Sequence, residues 1–219
     1  GTGSRDNKNI VRKNLNSVCK KIKCNKNKLI LMNQTHSNNF KFVGSLKKTR
    51  GKKINSDALI TNLKGICLGV LTADCAPVLI YDKNIKMISV IHAGWKGALG
   101  GIIKEVIFYF KKKGSNFRNI NAVIGPCISK KNYEVKKDFV TKFIKKDKKN
   151  RKFFSKKNYK TYFSLNSYIK HDIIRLGIKN IEIINRDTYN SKNNFFSARR
   201  SIKNKVNDYG RNISVIMIN

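Results

Sequence analysis

The sequence predicts a single α/β (α+β) domain in which strands and helices alternate. Three observations carry that prediction. The chain has 219 residues and is 40% hydrophobic, long enough to bury a core and too apolar for a disordered chain. Seven short runs rich in β-branched residues have strand length. Three longer segments repeat their apolar residues at helical spacing.

In chain order, the strand runs are KLILM (28–32), ICLGVL (66–71), PVLIY (77–81), MISVI (87–91), NAVI (121–124), IEII (181–184) and ISVIMI (213–218). The first helical segment, ALGGIIKEVIFYFKKKG, ends at Gly114 behind three lysines. That is a C-terminal signature, because glycine takes the left-handed cap and cations suit the negative helix end. VKKDFVTKFIKK (135–146) and SLNSYIKHDIIRLG (164–177) follow. No repeat or Pro/Ser-rich linker divides the chain, and its two prolines, Pro77 and Pro126, sit inside motifs. Five of the strand runs lead into polar or glycine-rich segments: NQTHS, TADC, HAGWKG, GPC and NRDTY. If these strands are parallel neighbours, those ends gather at one sheet edge, where ligands bind in open α/β sheets.

The net charge of +36 suits anionic partners. Lysine, asparagine and isoleucine are abundant together, as AT-rich codons would give, and the lysines run along the whole chain. No RNA-binding signature appears, so no specific nucleic-acid partner is expected; a polyanion-binding protein with a degenerate site is the reading that the charge alone sustains. The five cysteines (19, 24, 67, 75 and 127) match no closed zinc knuckle and no CxxC pair. With no signal peptide at the start and no apolar run of membrane length, the expectation is a cytoplasmic chain with free thiols and no membrane partner.

Two of the three histidines, His36 and His92, follow strand runs, as does Cys75. Two imidazoles and a thiolate are good zinc ligands, and three protein ligands leave a fourth position for water or substrate. The same atoms suit a cysteine hydrolase, with Cys75 as nucleophile, His92 or His36 as base and Asp74 orienting the base. Asp74 also reads as a turn residue bonded to its own backbone. In HAGWKGALGG, backbone N–H groups at a helix start can hold an anion. There Lys96 adds charge, and Trp95 either stacks on a flat ring or packs beneath the turn. Cys127, in IGPCIS, reads as buried, and His171 as a surface residue. FFSARR and the later GR place Arg199, Arg200 and Arg211 near the C-terminus. Arginine grips phosphate or carboxylate with two bonds, or it belongs to a solvated basic face.

Taken together, NQTHS, SDALITNLKGICLGVLTADCAPVLIYD, IHAGWKG, IGPCISKKNYEV and FFSARR followed by GR resemble the laccase-like, YfiH-type family once described as multicopper polyphenol oxidases. The resemblance runs from about Gln34 to Arg211. It implies one domain over residues 1–219 with mixed β-sheet layers flanked by helices, related to the catalytic fold of cytotoxic necrotizing factor. It implies zinc held by His36, Cys75 and His92, with copper as the other candidate ion. The implied activity is phosphorolysis of adenosine, inosine, guanosine and methylthioadenosine, with adenosine deamination. Cys75, His92 and Asp74 would serve catalysis; Gln34, Trp95, Lys96, Arg199 and Arg211 would bind substrate or phosphate. Partners are then purine nucleosides and phosphate, and a homodimer is compatible with the resemblance. Cys–His hydrolysis, peptidoglycan-precursor editing and copper-dependent phenol oxidation are the alternatives, the last short of histidines for a multicopper cluster.

Several positions depart from the family pattern. Lys96 stands where arginine is usual, Ser37 replaces a glycine, Asp187 stands in NRDTY where Cys-Thr is frequent, and Ala198 replaces an aromatic. The family's first strand, with its Ser/Thr-Arg and paired glycines, is missing: GTGSRDNKNIVRKN resembles the segment after its first hairpin, unless GTGS is an expression scar.

Overall fold

The computed structural model describes residues 5–49 and 53–219. The GTGS reading falls on residues 1–4, outside the described residues. Helix α1 (Lys8–Lys21) starts where the Asn7 side chain accepts a hydrogen bond from the backbone N–H of Asn9 at 2.8 Å, and it ends on Lys20 and Lys21, as capping and helix polarity require. The chain continues through β1 (Leu29–Leu31), β2 (Phe40–Phe42), α2 (Leu46–Thr49), β3 (Ala58–Thr61), β4 (Cys67–Thr72), β5 (Ala76–Asp82) and β6 (Met87–Ala93). Next come α3 (Trp95–Gly100), α4 (Ile102–Lys112), β7 (Ile120–Ile124), β8 (Glu134–Val135) and α5 (Lys137–Lys146). A 3₁₀ segment (Lys148–Phe153), β9 (Phe154–Lys157), β10 (Lys160–Phe163), α6 (Leu165–Arg175), β11 (Asn180–Ile183), α7 (Ala198–Lys203) and β12 (Asn212–Met217) complete it.

Six strands form the central sheet in the order β11-β7-β5-β6-β3-β2, and a second sheet runs β1-β4-β12. Their facing side chains alternate along each strand, as a pleated sheet covered on both sides requires. Leu59, Ile88 and Val90 of the central sheet meet Ile30, Leu68 and Val70 of the smaller one. Ala58, Ile60, Ile91 and Ala93 point the other way, into a core shared with Ile103, Val106, Ile107 and Phe110 of α4 and Ile169 and Ile173 of α6. Strand β6 is therefore buried at every position. A third sheet, β8-β10-β9, lies apart from these layers in pairing.

All seven predicted strands form. The long first helix does not: it breaks into α3 and α4 at Gly101, whose φ of 89° caps one helix and opens the next, a backbone state open to glycine without steric cost. The condition of parallel neighbours is met in part: β1 runs parallel to β4, and β7 parallel to β11. β5 runs antiparallel to both β6 and β7, and β3 antiparallel to β6. The motifs still meet at one edge, because the TADC turn lies at the start of β5 and that start pairs with the end of β6 (Ala76 with Ala93, Pro77 with His92). Beside them are the end of β7, paired Ile124 with Val78, and the end of β11, paired Ile183 with Ile124. Antiparallel reversal thus sets the starts of β5 and β3, the latter through Ala58 paired with Ile91, on the same rim as the ends of β6, β7 and β11.

Candidate metal centre

His92 is the buried floor of that rim. Its position near the end of β6 places it in a fully covered strand, and only 4% of it is exposed. Its Nδ1 lies 2.8 Å from Oδ1 of Asp57, which is 0% exposed. A carboxylate only accepts, so Nδ1 carries a proton, and Nε2 is the nitrogen that can give its lone pair to a metal as its own proton leaves. Asp57 does more than hold this ring. Its Oδ1 accepts from the backbone N–H of His36 at 3.0 Å. Its Oδ2 accepts from the N–H of Thr35 at 3.2 Å, the N–H of Ser37 at 2.7 Å, Thr35 Oγ1 at 3.0 Å and Ser37 Oγ at 2.7 Å. One buried carboxylate therefore fixes both histidines, His92 through its ring and His36 through its backbone. His36 needs that support, since its φ is 60°, a region that costs a non-glycine residue about 1–3 kcal/mol. Ser37, the departure from glycine, supplies two of the six bonds.

Cys75 completes the group from the TADC turn. The ligand atoms of His36, Cys75 and His92 all lie within 4.8 Å of one another, and the two imidazole centroids are 4.8 Å apart and nearly perpendicular. Tetrahedral zinc–ligand bonds of about 2.0–2.3 Å bring ligand atoms to roughly 3.5 Å from each other, so shifts on the order of 1 Å close the set on an ion. The donor chemistry and the oriented Nε2 of His92 fit a metal, and His36 is exposed, leaving an approach for a fourth ligand. Gly94 makes room: a Cβ there would sit 2.9 Å from Cys75 Sγ and 3.3 Å from His36 Cδ2.

The metal-free electrostatics prepare the same set. Burial pushes the Cys75 thiol up, but hydrogen bonds and charge from His36 and His92 outweigh it and bring the thiol down to about 7. Burial pushes His92 down, while hydrogen bonds and charge from Asp57 and Cys75 raise it to about 9. Burial also pushes Asp57 up, and its bonds with His92 and Ser37 reverse that, holding the carboxyl well below the usual range. Favourable partners to each charged form win over desolvation at all three.

Of the remaining sequence-derived candidates, Asp74 is corrected most. It orients no base. Its carboxylate accepts from Thr188 Oγ1 at 2.7 Å, Ser197 Oγ at 3.0 Å and the Arg199 N–H at 2.6 Å, at a φ of 82°. It ties the C-terminal segment to the turn that carries Cys75, and Asp57 does the orienting. Asp187 plays a parallel part, accepting from Ser129, Asn132 and Tyr189. Gln34 spends its amide on β4, donating to Leu71 O at 2.6 Å and accepting from Leu71 N at 2.9 Å. Trp95 packs on Phe139 with centroids 4.9 Å apart, and Lys96, exposed, stands 5.8 Å above its ring. Arg199 reaches the Glu134 carbonyl at 2.9 Å and lies over Tyr133. Arg211 stacks 4.0 Å from the Tyr209 centroid and donates to the Tyr209 carbonyl. Arg200 is bound to the carbonyls of Thr188, Tyr189 and Phe195. Cys127 is buried, as expected, and His171 is half-buried beside Phe153 and not simply a surface residue.

Fold and site together define a three-layer α/β protein with a His–Cys–His donor set on the rim of its central sheet. The chain belongs to the family described as multi-copper polyphenol oxidoreductase laccase, whose model matches residues 1–219. It is 34% identical to a purine nucleoside phosphorylase of Rickettsia prowazekii over 192 residues, 87% of this chain and 78% of that one. It is 40% identical over 89 residues to the adenosine deaminase RL5 of an unknown prokaryote, 41% of this chain and 34% of the relative. The crystal structure of the Bacillus licheniformis hypothetical protein YfiH superimposes with a TM-score of 0.91 at 26% identity, covering all of this chain and 85% of that one. No helix among the described residues is long and apolar enough to cross a membrane.

Proposed function

We propose that this protein is a zinc-dependent purine nucleoside phosphorylase that also deaminates adenosine. The observation that carries the reading is the convergence of His36, Cys75 and His92 around one point, with Asp57 holding the proton on His92 Nδ1. The names of the Rickettsia phosphorylase and of the RL5 deaminase supply the substrate class. Zinc held by the three side chains supplies Lewis acidity to that chemistry. The chain's own groups do the rest. Asp57 keeps both imidazoles in place, and Gly94 leaves the cleft open next to Cys75. Arg199, fixed through its N–H on Asp74, and Lys96 hold phosphate; purine packs toward Trp95. Copper suits one such site as well, but a chain with three histidines lacks the ligands of a multicopper cluster.

Phosphate-dependent release of free base from adenosine and inosine, abolished by chelator and restored by zinc, is the expected result. Turnover that survives both chelation and Cys75→Ala would end the reading. A second reading rests on the thiol lowered to about 7 next to an imidazole raised to about 9: Cys75 as a nucleophile paired with His92. Its mark is loss of one fast-reacting thiol to iodoacetamide at a rate that chelator and added zinc both leave unchanged.

A further inference from the structure

A second face of the molecule, separate in sequence from the donor site, carries chemistry of its own. Nine of the sixteen residues from Lys145 to Lys160 are lysine or arginine against one acid, where the whole chain has 48 in 219. The local density is more than double the average, so a uniform bias toward lysine does not account for it. The one acid, Asp147, is already paired with Arg175 at 3.2 Å. Lys160 pairs with Glu134 at 3.0 Å, and Lys146 donates to the Leu99 carbonyl. Among the described residues, Lys145, Lys148, Arg151, Lys156 and Lys157 form no ion pair. A groove of about 670 Å³ between α5 and the 3₁₀ segment is lined by Lys145, Lys148 and Arg151, with Val140, Ile144 and the paired Asp147.

The hairpin that follows adds an aromatic. Lys157 pairs with Lys160, so the turn is the two residues Asn158 and Tyr159, with φ of 48° and 61°. Both positive values mark the mirror-image tight turn that normally takes glycine second. Here a tyrosine occupies that position, fully exposed at 109% of its reference area. A bulky side chain at positive φ is unfavourable, and this one gains no burial in return.

Positive grooves that follow a phosphate backbone, joined to aromatic rings that stack on unpaired bases, are the chemistry of single-stranded nucleic-acid binding. We propose that α5, the 3₁₀ segment and the β9–β10 hairpin bind single-stranded nucleic acid without sequence preference, with Tyr159 as the stacking platform. A duplex offers no free base face to that ring. A membrane surface would call for several apolar side chains at the tip, and the neighbours of Tyr159 there are Lys156, Lys157, Asn158 and Lys160.

Fluorescence anisotropy of the full chain with a labelled oligouridylate of about a dozen nucleotides tests this, the site size of one or two stacking modules. Tyr159→Ala should weaken binding about tenfold, within the range for one lost stacking contact, and Tyr159→Phe should leave it unchanged. Lys156→Gln with Lys157→Gln should lower the slope of log K against log salt by about 1.4. Lys83→Gln with Lys86→Gln, on the β5–β6 turn outside these elements, should cost much less. Wild-type affinity in Tyr159→Ala overturns the proposal, as does an equal loss from the Lys83/Lys86 pair, which would mean bulk charge alone. A loss of binding to phosphatidylserine vesicles in Tyr159→Ala, with oligouridylate binding intact, would assign the face to a membrane and equally overturn it.

Discussion

Replacing Asp57 with asparagine perturbs the atom pair that organises the centre. The two carboxylate oxygens accept six hydrogen bonds, and every partner is a donor. An amide must turn its NH₂ toward one set or the other. Facing Ser37 and Thr35 it confronts four donors, so the milder choice faces His36 and His92. There the amide donates to His92 Nδ1, the imidazole proton moves to Nε2, and the metal-binding lone pair is lost. The His36 N–H is left without an acceptor. Loss of the charge-assisted bonds and one orphaned buried N–H amount to roughly 3–5 kcal/mol of stability. Zinc affinity should fall about 10–100-fold, the usual range when a ligand's orienting partner is removed. Chelator competition for zinc, run beside urea unfolding of the metal-free protein, separates the two effects. A folded Asp57→Asn protein that binds zinc within about threefold of the wild type would refute the orienting role.

Gly94→Ala leaves an ordinary φ of −70° but places a methyl 2.9 Å from Cys75 Sγ; metal affinity should drop several-fold with a stability change of about 1–2 kcal/mol, measured by the same two assays. Ser37→Gly removes one of the six bonds to Asp57 and should cost about 1–2 kcal/mol, read in urea unfolding. Asp74→Ala should destabilise by about 2–4 kcal/mol and raise the phosphate KM through Arg199, while zinc content stays at the wild-type level. The metal-free protein's stability should depend on pH. His92, raised to about 9, contributes stability fully present below its unfolded value of about 6.5 and lost as pH rises through 9. Cys75, lowered to about 7, contributes stability present above its unfolded value of about 8.5 and lost as pH falls through 7. The alkaline loss at His92 exceeds the gain at Cys75, so urea midpoints should fall as pH rises from about 6.5 to 9, and alkylation of Cys75 should rise with an apparent pKa near 7.

Much of this was legible because buried strands are apolar runs, and a strand covered on both faces, such as β6, is the clearest run of all. β2 (FKF) and β3 (ALIT) escaped notice because they are three and four residues long, too short to show a period, and β3 begins directly behind a polar pair. Helix α1 is faint in the sequence because asparagine and lysine dilute its apolar face. Asp57 is hidden in the sequence for a geometric reason. Searching the residues after strands finds His36, Cys75 and His92, but Asp57 comes just before β3, and in an antiparallel sheet strand starts share the rim with strand ends. The signal was present as the SD pair in SDALIT, a carboxylate adjoining a run that proves wholly buried. The part assigned to Asp74 failed for the opposite reason: neighbourhood in sequence to Cys75 placed it near the site, while its φ of 82° accompanies a carboxylate bonded to the C-terminal segment.

The segment from Asn33 to Ser37 spans a gap between two layers. Through Gln34 it is stitched to β4 in the smaller sheet, and through Asp57 it is stitched to the start of β3 in the central one. An ion gripped by His36, Cys75 and His92 would work as a rivet through the sandwich, joining parts of the chain 56 residues apart at their extremes. Its binding free energy then adds to the cohesion of the two leaves. The melting temperature should climb with free zinc, and the amides of β1 and β4 should exchange more slowly, although neither strand contributes a ligand.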